Sequence, residues 1–243
     1  MFSKVILNYQ KNIFEELSTS IIFEDIVTGR KGTNIVDYKN DLIPIVRTTT
    51  NYNKPTQKFL PIHYDIIENI KKVSNIKDLE LNNALIEIYD NQYRTMGFHS
   101  DQALDLTENS YICIFSCYDN NSSLRKLKIK EKSTKKESEI VLDHNSVIIF
   151  STETNKKYLH KIILDTNKSQ NLWLGITFRL SKTFIQFINE IPYFYKSNKI
   201  LRLANQDEII KFRKLKGDEN ANTEHNYSDI DYTLSASDIL FIK

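Results

Sequence analysis

From Asn82 to Leu180 the apolar residues fall into short runs: "NALIEIYD", "SYICIFSCY", "LRKLKIKEK", "SEIVLD", "SVIIFS", "YLHKIIL" and "LWLGITFRL". β-branched and aromatic side chains dominate them, as suits a pleated, half-buried surface. Polar clusters such as "DNNSS", "STKKES" and "DTNKSQ" separate the runs. Many short strands with polar turns predict a sandwich, jelly roll or barrel. Ahead of this series the period differs. Tyr9 to Ser18 carry a helical pattern, "TSIIFEDIV" reads as a strand, and "TGRKGTN" reads as a turn-rich connector. "LIPIVRTTTNYNKPTQKFLP" is extended and broken by prolines. In "IHYDIIENIKKVSNI", Ile66, Ile67, Ile70 and Val73 recur at helical intervals and predict an amphipathic helix. After Arg179, "SKTFIQFINEI" and "NQDEIIKFRKLKG" read as helices, Asp218 to Asp231 as loop, and "YTLSASDILFIK" as a weak closing segment. With no internal repeat and no clear linker, a single domain over 1–243 is expected.

Composition narrows the function classes only a little. The 243 residues are 40% hydrophobic and 26% charged, ordinary for a globular protein. A net charge of +2 does not mark a nucleic-acid binder, so that case must rest on local patches. The first residues, "MFSKVILNYQKNIFEEL", turn charged too soon for a signal peptide, and no apolar run has the length of a membrane span. Both cysteines lie in "YICIFSCY". On a strand Cys113 and Cys117 would stand roughly 13 Å apart, too far for a disulfide. Free thiols suit a reducing compartment. The expectation is an intracellular protein, cytoplasmic or nuclear, with no membrane partner.

Candidate chemistry begins at "MGFHSDQALD", which reads as β-strand. Residues i and i+2 of a strand share a face, so His99 and Asp101 would offer an imidazole and a carboxylate to one ion. His63, His144, His160 and His225 are the candidates for a third ligand. His160 stands within an apolar run late in the strand series, where a facing strand could return to the first pair. Two His and one carboxylate on one face of a metal leave open positions, as in non-haem Fe(II) oxygenases. In "LWLGITFRL", Trp173, Gly175, Thr177 and Arg179 share a face. A buried guanidinium there needs an anion. A dicarboxylate cosubstrate or a structural Asp or Glu would each supply one.

In order, "IEIYDNQYRTMGFHSD", "YICIFSCY", "IVLDHNSVIIFS", "YLHKIIL" and "GITFR" resemble the AlkB-like Fe(II)/2-oxoglutarate dioxygenases, from about Arg47 to Arg179. The resemblance implies an α+β, mainly β fold: a double-stranded β-helix (jelly roll) with N-terminal helices on one side and a C-terminal extension. It divides the chain into an N-terminal helical and substrate-lid region (1–80), a catalytic core (81–185) and the extension (186–243). It implies that His99, Asp101 and His160 ligate Fe(II) as the catalytic centre, and that Arg179 and Tyr89 hold 2-oxoglutarate. With O2, the cosubstrate would leave as succinate and CO2 while a substrate C–H is oxidised, an N-methyl group being lost as formaldehyde. The implied substrate is an N-alkylated base in DNA or RNA, with Arg47 on a phosphate and Tyr52 or Phe59 stacking. Lys126, Lys128 and Lys130 on one strand face would give an electrostatic footing, or simply a solvated edge. The alternatives are a protein or other substrate, or a non-catalytic binding module that retains the triad.

Two positions depart from the family pattern. Trp173 stands where a second arginine is usual, six residues before the terminal one, and Glu87 stands where an asparagine is usual, two before the tyrosine. The alternatives are a local shift of register, another Lys or Arg that reaches in, a changed cosubstrate geometry, or a degenerate enzyme.

Overall fold

The computed structural model describes residues 1–165 and 170–242. β1 (Ser3–Ile6) and α1 (Phe14–Ser20) precede a hairpin of β2 (Glu24–Val27) and β3 (Arg30–Val36). Two short strands, β4 (Ile43–Pro44) and β5 (Gln57–Lys58), lead to α2 (Pro61–Ser74). Then come β6 (Asn83–Tyr89), β7 (Tyr111–Tyr118), β8 (Arg125–Glu131), β9 (Glu137–Leu142) and β10 (Ser146–Ser151). α3 (Thr152–Lys157) turns the chain into β11 (Tyr158–Ile163), and β12 (Trp173–Arg179) ends the series. Beyond it lie β13 (Phe184–Ile188), β14 (Ile191–Phe194), β15 (Arg202–Leu203), α4 (Gln206–Ala221) and β16 (Tyr232–Thr233).

The large sheet runs β1-β10-β7-β12-β6-β3-β2, and the small one runs β11-β8-β9. Large and small sheets face each other as a jelly roll. Each central strand of the large sheet is buried on both faces, which explains the nearly continuous apolar runs in the sequence. Toward the helices, Ala84, Ile86, Cys113, Phe115, Leu174, Ile176 and Phe178 pack on Leu17, Ile66 and Ile70. Between the sheets, Tyr89, Ile112, Ile114, Tyr118 and Trp173 meet Leu127, Ile129 and Ile162. Full burial of one such Ile or Leu contributes about 1.5–3 kcal/mol. Cys113 and Cys117 are buried and free; burial pushes the Cys113 thiol up to about 12.

Three local expectations are corrected. "TGRKGTN" is a turn only at its start, where Gly29 has φ 75°, and then becomes β3, which pairs with β6 over its whole length. "SKTFIQFINEI" is no helix but a hairpin: Asn189 and Glu190, at φ 51° and 64°, form the turn between β13 and β14. Positive φ at both central residues is the mark of a type I′ hairpin turn. "GFHSD" forms no strand; His99 makes one isolated bridge to His160, and residues beyond it are held by side chains. The "DTNKSQ" turn falls largely on 166–169, outside the described residues. The helix read in "NQDEIIKFRKLKG" is present as α4, extended into the stretch expected to be loop. Asn205 caps its N-terminus reciprocally with Glu208 (3.0 and 2.8 Å). No helix among the described residues is long and apolar enough to cross a membrane.

Candidate metal centre and cosubstrate cavity

A cavity of about 430 Å³ opens between the two sheets. Leu85, Glu87 and Tyr89 of β6, Ile114 of β7, Thr177 and Arg179 of β12, and His99, Asp101 and His160 line it. His160 is aimed inward by the alternation of β11, its register partner on β8 being the buried Ile129. His99 is brought beside it by a reciprocal backbone pair: His99 N donates to His160 O (3.0 Å) and His160 N to His99 O (2.7 Å). The two imidazole centroids are then 4.8 Å apart. Asp101 is fixed through its backbone by Asn155 of α3, which accepts from Asp101 N (2.8 Å) and donates to Asp101 O (2.7 Å). Thus a loop, not the i, i+2 rule of a strand, places the aspartate.

One ligand atom from each of His99, Asp101 and His160 lies within 4.8 Å of the others, the one such cluster among the described residues. The donor set fits a divalent transition metal. His99 Nδ1 is turned to Gly97 O (3.0 Å), which leaves Nε2 for an ion. Burial, then the neighbouring His160, push the His99 pKa down to about 3, so its ring stays neutral with a lone pair available. Asp101 Oδ2 accepts from Arg179 Nε at 2.6 Å, while Oδ1 faces His160 Nε2 at 3.5 Å. Burial opposes ionisation of Asp101, yet Arg179 and His160 outweigh it and hold the carboxyl well below its usual range.

The remaining histidines have other partners. His63 Nδ1 accepts from Leu60 N at the start of α2, His144 Nδ1 accepts from Tyr118 N, and His225 packs edge-on against Tyr227.

Two residues expected to touch substrate are engaged elsewhere. Arg47 is 4% exposed, and its Nε and Nη2 donate to both oxygens of Asp105 (3.1 and 2.7 Å). Its Nη1 donates to Ile230 O and Tyr232 O. A guanidinium so fully engaged is a structural clamp on the C-terminal segment, not a phosphate contact. Tyr52 is 1% exposed, with its backbone tied to Ser235 and Ser237, so its ring offers no face to a base. Phe59 likewise packs in the helix-side core.

Two groups went unnoticed in the sequence. Arg30, on the strand read as a connector, lines the cavity and bonds Glu87 through Nε (2.7 Å) and Nη2 (2.5 Å). From α4, Lys216 reaches the cavity, donating to Ser100 O (2.5 Å) and Glu219 (2.7 Å). Glu219 accepts from Ala103 N (2.8 Å), and Asn220 accepts from Ser100 N (3.0 Å). Lys132, itself buried, caps the end of α4 by donating to the carbonyls of Glu219 and Asn222. The extension therefore braces the loop that carries His99 and Asp101.

A jelly roll with two histidines, one carboxylate and a cavity above them defines a metal-dependent oxygenase scaffold. Residues 39–184 match the model of the 2OG-Fe(II) oxygenase superfamily, more than half of the chain, and the protein belongs to that family. Its cofactors are accordingly Fe(II), 2-oxoglutarate and O2. Among solved structures the chain is similar to one described as "The structure of OsALKBH1", with 14% identity and a TM-score of 0.42 over 63% of this chain and 78% of that one. No curated protein sequence matches it.

Proposed function

We propose that His99, Asp101 and His160 hold Fe(II), and that the enzyme oxidises the N-alkyl group of a base in DNA or RNA, as AlkB-type oxygenases do. The convergence of three ligand atoms beside a half-engaged carboxylate carries the first part. Fe(II) with 2-oxoglutarate supplies an O2-dependent oxidation of a substrate C–H, the cosubstrate leaving as succinate and CO2. The protein's own part is position and exclusion of water. Arg179 fixes one oxygen of Asp101 and so leaves the other for the ion. Leu85, Ile114 and Ile162 form an apolar wall on the cavity.

The outer rim supports an anionic polymer as substrate. Phe98 lines the cavity with Lys130 Nζ at 4.4 Å and Lys161 Nζ at 4.5 Å from its ring centroid. Lys161 stands directly opposite Lys128 in register. Like charges in that relation destabilise a sheet, and a phosphate placed between them relieves the repulsion. Lys126 and Lys130 carry less of this role, since Glu139, Asp165 and Glu137 pair with them. An aromatic face flanked by ammonium groups at a cavity mouth suits a base turned out of its stack.

The test is conversion of 2-oxoglutarate to succinate by purified protein with Fe(II) and ascorbate, with and without a methylated oligonucleotide. The expected result is stimulation by the oligonucleotide, release of formaldehyde, and loss of both in His99→Ala. Succinate formation that methylated oligonucleotides never stimulate, but peptides do, overturns the nucleic-acid part. Absence of succinate under all conditions overturns the iron assignment.

A further inference from the structure

Glu87 occupies an unusual seat. Its register partners on either side are Gly32 of β3 and Gly175 of β12, which bring no side chain of their own; the Trp173 ring fills the space over Gly175 and the Tyr52 hydroxyl lies beside Gly32. A Cβ on Gly175 would overlap the Trp173 ring, and one on Gly32 would lie 3.3 Å from Glu87 Cγ. In this slot both Glu87 oxygens are occupied. Oε1 takes Arg30 Nε and Nη2, and Oε2 takes the Tyr89 hydroxyl at 2.6 Å. A guanidinium on one side of a carboxylate and a phenol on the other make a complete carboxylate cradle.

The rest of the cavity offers no equivalent. Among the described residues its other lining cations are Arg179 and Lys216. Arg179 bonds Asp101 and pairs in register with Asn83, whereas Tyr89 pairs with Trp173. Six residues of β6 separate those two levels, roughly 20 Å at about 3.3 Å per residue, so Arg179 serves the iron end. Lys216 is held by Ser100 and Glu219. Trp173 brings no charge, and its buried Nε1 has no hydrogen-bond partner among the described residues.

We propose that Arg30 and Tyr89 form the subsite for the far carboxylate of 2-oxoglutarate, and that Glu87 is its built-in occupant, which the incoming dicarboxylate displaces. The inference rests on the reading that this cavity binds 2-oxoglutarate beside a metal at the triad. Binding is then an exchange of one carboxylate for another at the same cradle, and most of the gain from the new ion pair is offset by loss of the old one. A 2-oxo acid without a far carboxylate requires no exchange. Glu87 therefore narrows the preference for 2-oxoglutarate over monocarboxylic 2-oxo acids.

The test is calorimetry on the full chain loaded with Mn(II), with Mn(II) affinity measured first for each variant and then 2-oxoglutarate and 2-oxopentanoate titrated separately. Glu87→Gln should bind 2-oxoglutarate about 10- to 100-fold more tightly, the range expected for one charge-assisted hydrogen-bond set. It should leave 2-oxopentanoate unchanged. Arg30→Gln should weaken 2-oxoglutarate, and in the double variant the gain from Glu87→Gln should vanish. Equal tightening of both acids, or no tightening of either, overturns the inference, because a general loosening of the cavity would not distinguish them. If Glu87→Gln does not fold, Glu87→Met repeats the comparison. Failure of the wild-type chain to bind Mn(II) would instead remove the triad reading, and this inference with it. Intact Mn(II) binding without tightening of 2-oxoglutarate removes this inference alone.

Discussion

The cavity contains two arginine–carboxylate pairs of the same chemistry in opposite states. At the triad end, Arg179 takes one oxygen of Asp101 and leaves the other facing His160. At the far end, Arg30 and Tyr89 between them take both oxygens of Glu87. A half-satisfied buried carboxylate has a lone pair to give, and a cation completes it. A fully satisfied one has nothing to offer until it is pulled away. A third pair, Arg47 with Asp105, is closed on every side and belongs to the scaffold. Degree of satisfaction, more than residue type, separates the proposed ligand and the proposed gate from the clamp.

The largest effect should come from breaking the open pair. Asp101→Asn removes the charged ligand and strands Arg179, which is 6% exposed. Losing a partner that merely orients a ligand costs about 10- to 100-fold in metal affinity, and loss of the ligand itself should exceed that. An unpaired buried guanidinium costs about 3–5 kcal/mol of stability in addition. Mn(II) titration and urea unfolding check the two halves. Arg179→Gln should weaken metal binding only within that 10- to 100-fold range; if both variants bind Mn(II) like the wild type, the half-satisfied carboxylate is not a ligand.

How much of this was legible in the residues depends on what each strand faces. β6, β7 and β12 are buried on both sides and fully apolar on at least the helix side, so their runs stood out, and "GFHSD" with "YLHKIIL" pointed to the cluster that the fold brings together. β3 was hidden because its cavity face is Arg30, Gly32 and Asn34, which carry no apolar alternation. The missed strand and the missed cation share that cause: a strand lining a polar subsite lacks the pattern that reveals strands. "SKTFIQFINEI" has apolar spacing that suits either period, and only the Asn189–Glu190 turn decides for a hairpin. The role of α4 was unreadable, since Lys216, Glu219 and Asn220 act on a loop more than a hundred residues earlier through tertiary contact alone.

The closed clamp gives a second, smaller test, through pH. Asp238 lies 5% exposed near Asp105 and Arg47, and accepts from the Thr233 hydroxyl at 2.6 Å. Because Arg47 is already committed to Asp105, burial dominates and pushes the Asp238 pKa up to about 7. A raised native pKa means that the folded state holds the proton more tightly. The associated stability is full below the unfolded carboxyl value of about 4 and is lost as pH climbs through 7. At about 1.36 kcal/mol per unit the loss is on the order of 4 kcal/mol at most. Asp238→Asn should flatten unfolding free energy against pH between about 4 and 7, and make the protein more stable than wild type at pH 8. An unchanged slope would mean that Arg47 serves both carboxylates after all.

The smallest effect concerns how the open pair is kept open. Asn220 on α4 accepts from both the backbone N and the hydroxyl of Ser100 (3.0 and 3.1 Å), the residue between His99 and Asp101. Asn220→Ala removes both contacts without touching a ligand. Each hydrogen bond contributes about 0.5–1.5 kcal/mol net, so the loop should loosen by about 1–3 kcal/mol. Part of that is paid when metal reorders the loop, and Mn(II) affinity should fall a few-fold, roughly tenfold at most. Arg30 and Glu87 sit on β3 and β6, strands that α4 does not brace through these bonds. The separation between wild type and Glu87→Gln in 2-oxoglutarate affinity should therefore persist unchanged in an Asn220→Ala background. If it collapses instead, the two ends of the cavity are mechanically coupled, and the contrast between an open pair and a closed one would describe a single switch.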